Sequence, residues 1–124
     1  MKCFKLKDPV YDTSTWFVYN CTKEELNEWC SKKFKVSIIE DDEKLTEGIC
    51  REINCKNGTA YIMWVRSVRE TIYSMGVIAH ELFHLVMLIM CHIGLEISED
   101  SEEAYAYYYE YLFKLILGGV NYED

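Results

Sequence analysis

The longest apolar run in the chain, Met75 to Ile93, is interrupted by Gly76, His80, Glu81, His84 and His92 and is flanked by polar positions on both sides. It is too long for a strand and predicts a buried helix from about Thr71 to His92, with Gly94 as its stop. Upstream, residues 1–21 alternate loosely, and Thr15-Trp16-Phe17-Val18-Tyr19 has the β-branched and aromatic content of a first strand. Thr22 then opens a helix to about Lys33. Its hydroxyl can cap a backbone N–H while Glu25 reaches back three residues, and Leu26, Trp29 and Cys30 form the apolar stripe.

Phe34 to Ile39 reads as a second strand that ends in the acidic turn Glu40-Asp41-Asp42-Glu43. Gly48 to Cys55 and Thr59 to Ser67 are β-like segments joined through Lys56-Asn57-Gly58, where Asn-Gly supplies the positive φ angles of a tight hairpin. Ser98, Asp100 or Ser101 can cap a final helix with Tyr105 to Leu117 as its body and Gly118-Gly119 as its end. The pattern predicts an α+β domain: a small, mainly antiparallel sheet, one early helix, and two long C-terminal helices that carry any site.

With 124 residues there is room for a single domain spanning 1–124, and 50% hydrophobic with 15% aromatic residues is ample for a core. The net charge of −8 argues against nucleic acid or an anionic membrane as a partner, because both call for a basic face. The six cysteines include no C-x-x-C pair, and the opening MKCFKLKDPVYD lacks a signal-peptide core. Both point to reduced thiols and a cytoplasmic protein. The apolar run would also fit an intramembrane helix, but three His and a Glu inside it, with no second span to satisfy them, favour a buried central helix.

The candidate chemistry lies in His80-Glu81-Leu82-Phe83-His84. At about 100° per residue, His80 and His84 stand one turn apart and about 40° apart around the axis, so two imidazoles can converge on one metal ion. Glu81 lies about 60° to the other side of His84, placed for a base that acts on a metal-activated water. This is the His-Glu-x-x-His spacing of zincins. A catalytic zinc takes three protein ligands, and the downstream acids Glu96, Glu99, Asp100, Glu102, Glu103 and Glu110 are candidates for the third.

The order of motif helix, short loop, and second helix with Glu103-Ala104 resembles the gluzincins, thermolysin-like zinc peptidases, in reduced single-domain form over about Thr59 to Leu117. The size and plain organisation also look like the small metallopeptidase-like proteins of phages and mobile elements. The resemblance implies one Zn²⁺ per chain held by His80, His84 and Glu103, with Glu102 as second choice for the third ligand. It further implies Glu81 as general base and a peptide or protein substrate aligned on an edge strand formed by Thr59, Ala60, Tyr61, Ile62, Met63, Trp64 and Val65. Where the family has an Asp one turn after the ligand Glu, this chain has Tyr107, which would then support a zinc-bound His or donate to an oxyanion. His92, about 80° round from His84, reads as a helix-end residue. The competing reading is a zinc-binding regulatory protein that keeps the fold without hydrolysing anything; it has no need of Glu81.

Overall fold

The computed structural model describes residues 1–37, 46–56 and 58–122. Four strands, β1 (Lys2–Leu6), β2 (Ser14–Tyr19), β3 (Gly48–Cys55) and β4 (Gly58–Val65), form one sheet in the order β1-β2-β4-β3. Helix α1 (Lys23–Phe34) lies between β2 and β3 in the chain, and α2 (Ile72–His92) and α3 (Glu102–Gly119) follow β4.

Alternation along the strands divides the interior in two. Phe17 and Tyr19 of β2 and Tyr61, Met63 and Val65 of β4 face α2 and α3, joined there by Ile78, Leu82, Leu85 and Ile89 of α2 and Tyr108, Leu112 and Ile116 of α3. Val18, Ile49, Ile53, Ile62 and Trp64 face the other way and pack on Leu26 and Cys30 of α1. The α+β class and the two long C-terminal helices match the sequence expectation. The sheet is mixed rather than mainly antiparallel, because β2 and β4 pair parallel at its centre while β1 with β2 and β3 with β4 are antiparallel. The cause is α1: it carries the chain back over one face of the sheet, so that the β3–β4 hairpin arrives with β4 beside β2.

This placement corrects the expected edge. Thr59 to Val65 lies between two neighbours, and Ala60 to Val65 are buried without alternation, the pattern of a strand covered on both faces. Among the described residues the edge strands of the sheet are β1 and β3.

The expected strand from Phe34 is also corrected. Phe34 continues the spacing of Leu26 and Cys30 by four and packs edge-on against Trp29 at 5.8 Å, so α1 keeps it. Lys35 then ends the helix in the left-handed region at φ 62°, its N–H donating to the Ser31 carbonyl. Ile38, Ile39, the acidic turn Glu40 to Glu43 and Asn57 of the hairpin turn lie outside the described residues. The strand Lys2–Leu6 carries too weak an alternation to stand out from the loosely patterned first 21 residues.

The capping box at Thr22 forms as read, with Glu25 N–H donating to Thr22 Oγ1 and Thr22 N–H to Glu25 Oε1, both at 3.1 Å. Thr71 caps α2 through Ser74 N–H. At its other end, Gly94 N–H donates to Cys91 and Leu95 N–H to Met90, closing the last turn. By length and composition α2 could cross a bilayer, yet here its apolarity is divided. One side is buried against the sheet and α3, while Ile72, Tyr73 and Phe83 stand exposed on the other.

Candidate functional site

Helix α2 brings the two histidines together. His80 and His84 project from successive turns on its outer side, with Nε2 atoms 3.3 Å apart and rings inclined at 76°. Two nitrogens each about 2.0–2.1 Å from a tetrahedral zinc ion stand about 3.3–3.4 Å apart, so the pair already has the spacing of one edge of that tetrahedron. The same separation permits an N–H···N hydrogen bond between the rings in the absence of a metal.

Glu81 is the polar residue that the fold buries beside them. It is 7% exposed and its Oε1 lies 3.9 Å from His80 Nε2. The side chain fits because the strand beneath it begins with a glycine. A Cβ at Gly48 would stand 2.6 Å from Glu81 Cγ and 3.0 Å from Oε1, closer than packed atoms come. Burial holds the Glu81 carboxyl above its ordinary value, against the opposing pull of His80, His84 and Arg51.

A groove runs between α2 and β3 with Glu81 in its floor. On one side of Glu81 is a cavity of about 520 Å³ lined by Cys50, Arg51, His84, Met87, Leu88 and Cys91 among others. On the other is one of about 490 Å³ lined by Glu47, Tyr73, Gly76, Val77 and His80, with Thr46 and Gly48 shared by both. Both lie in the size range of small-ligand sites. Burial, and then the charge of Glu81, pushes the Cys50 thiol up to about 12, so it is a neutral wall rather than a nucleophile.

The other expected site residues are elsewhere. Helix α3 is tied to α2 by Tyr109, whose hydroxyl donates to the Ala79 carbonyl at 2.8 Å, and to the connection after α2 by Tyr105, which donates to the Leu95 carbonyl. Ala79 is about 140° around α2 from His84, so α3 lies on a different side of the helix from the histidine pair. Glu103 and Glu102 are exposed in the first turn of α3, and among the described residues no three His, Cys, Asp or Glu side chains are grouped as a metal site. Tyr107 is 66% exposed and borders a separate hollow with Val10, Tyr11 and Lys114. Tyr109 is the α3 tyrosine that hydrogen-bonds to the motif helix. His92 is a helix-end residue as read, 3.4 Å from Glu52 Oε1 and edge-on to Tyr61.

Gly48, Arg51, Met87 and Leu88 were not legible as site residues. The available signal was Gly48 itself, a glycine inside a strand pattern, which marks a close approach by another group. Neither the protein-family models, the curated proteins nor the solved structures include a match to this chain.

Proposed function

We propose that this chain is a zinc-dependent peptidase whose working groups are His80, His84 and Glu81. The observation that carries the reading is the 3.3 Å Nε2–Nε2 separation, a tetrahedral edge, beside a buried carboxyl in the floor of a groove along an exposed strand. The donor set suits zinc, for which neutral imidazole is a preferred ligand. His80 and His84 would hold the ion. When bound, it would polarise the scissile carbonyl and acidify water.

An extended peptide lies along β3, whose outer edge has no strand partner among the described residues. Glu81, held at the level of the pair by Gly48, takes the proton of the attacking water and passes it to the leaving amine. Its raised pKa suits the first half of that transfer, since a carboxyl that binds a proton more readily is a better acceptor. The reading places the protein in the gluzincin style of hydrolase, acting on peptides in the cytoplasm. The third protein ligand that zinc enzymes use is left to Glu103 only if the first turn of α3 moves toward the pair.

Zinc per chain and cleavage of a mixed peptide library, measured on three variants beside the parent chain, test this. His84→Ala is expected to lose both. Glu81→Gln is expected to keep its metal and lose cleavage by 10²-fold or more, about the contribution of a general base. Glu103→Ala is expected to keep the metal, as its position in the structure requires; loss of zinc there would restore it as a ligand. Cleavage by Glu81→Gln at the unsubstituted rate would instead favour a zinc-binding protein with no catalytic use for the motif.

A further inference from the structure

The histidine pair lies on a face of α2 that is built like half of an interface. Phe83 is 54% exposed next to His84, with ring centroids 6.4 Å apart, and Tyr73 is 66% exposed two turns before His80. Apart from the histidines, Glu81 is the one acid or base in the whole of Ile72–His92. A chain of net charge −8 resists a second copy of itself over most of its surface, and this face is where that resistance is least.

We infer that a second copy of this chain completes the metal site, so that His80 and His84 from each of two chains surround one zinc ion. The inference rests on the metal-holding role of the pair proposed above and concerns its regulation. A tetrahedron has opposite edges of equal length at right angles to each other. A two-fold axis through the ion carries the 3.3 Å edge of one chain onto the opposite edge in the partner, which is the isologous contact that closed dimers use. The edge runs along α2, so the two α2 helices cross close to perpendicular. Such crossings are uncommon in packing driven by side-chain ridges alone, and here the ion would dictate the angle. Phe83 lies beside the crossing point, its ring centroid 6.4 Å from that of His84.

Charge closes as well. Four neutral imidazoles leave the ion with its two positive charges, and one Glu81 carboxylate from each chain stands beside the histidines to offset them. Four nitrogen ligands leave no open position, so the shared site is a closed, non-hydrolytic form and the single chain is the form with access to water and peptide. Self-association thereby switches the groove off as protein concentration rises with zinc near one ion per two chains.

Sedimentation velocity tests this on the chain stripped of metal and then titrated with Zn²⁺, with zinc assayed in each separated species. The expected result is a doubling of the 14.7 kDa mass that saturates at one zinc per two chains and reverses with chelator. His84→Ala is expected to stay monomeric at every zinc concentration. Phe83→Arg, which keeps every donor but puts two like charges at the crossing, is expected to bind zinc as a monomer. An unsubstituted chain that binds zinc yet stays monomeric at one ion per two chains overturns the shared site and leaves the single-chain peptidase standing. A dimer that forms without zinc, or that persists in His84→Ala, overturns it too. Absence of zinc from every species removes the peptidase reading together with it.

Discussion

At the scale of single residues, the site depends on what Gly48 lacks. Adding one methyl there requires Glu81 to leave its place, because the new Cβ would stand 2.6 Å from Glu81 Cγ. Gly48→Ala is therefore expected to cost about 1–3 kcal/mol, the usual range for overpacking, and to lower cleavage while leaving the His80–His84 spacing and zinc binding intact. Chemical denaturation and zinc content together check it. A second residue-scale prediction concerns Asp8, which is buried beneath α3. Burial alone would raise its carboxyl, but hydrogen bonds from Tyr108 and Thr13 and from the N–H groups of Tyr11 and Val10 outweigh that and hold it below its ordinary 3.8. A depressed carboxylate contributes stability that is complete above the ordinary value and disappears as pH falls through the folded one. Asp8→Ala is expected to cost about 2–3 kcal/mol at neutral pH, and the difference from the parent to shrink as pH drops below 3.8. Melting curves across pH give the comparison; a difference independent of pH would contradict the charge-based explanation.

Among the elements, α2 does two jobs with one sequence. Leu82 and Leu85 are fully buried between the sheet and α3, whereas His80, Phe83 and His84 look outward from the same two turns. Leu82→Ala is expected to destabilise by about 2–5 kcal/mol, and Thr22→Ala, which removes the cap of α1, by about 1 kcal/mol. Helices α1 and α2, their caps and the β3–β4 hairpin were legible because each is specified locally, by side chains within four residues of one another. The identity of the edge strand was not, because it depends on the crossover that sets β4 beside β2. The missing alternation in Ala60–Val65 was the one local sign of it. Phe34 shows the same limit from the other side: its aromatic ring favours a strand in isolation, and contact with Trp29 keeps it in α1.

For the molecule as a whole, the outer face of α2 and the edge of β3 together carry the proposed site. His80, Glu81 and His84 were legible because a helix fixes their relation; the position of Glu103 was not, because it depends on how α3 crosses α2. In this fold Tyr109, bonded to the Ala79 carbonyl, marks that crossing on a different side of α2 from the histidines. Any ligand that binds the folded state alone raises its stability, by about 2.7 kcal/mol at a free concentration 100 times its dissociation constant. Zinc at that excess is therefore expected to raise the melting temperature of the parent and of Glu81→Gln, and to leave that of His84→Ala unchanged.

The most direct test is a calorimetric titration of metal-free protein with Zn²⁺, run on the parent chain, His84→Ala and Glu81→Gln. Saturable binding by the parent and by Glu81→Gln, with none by His84→Ala, is the expected result and would establish the pair as the metal site. Equal heats from all three, or none from the parent while it remains folded, would mean that His80 and His84 share a hydrogen bond and nothing more, and the hydrolytic reading would fall with the site.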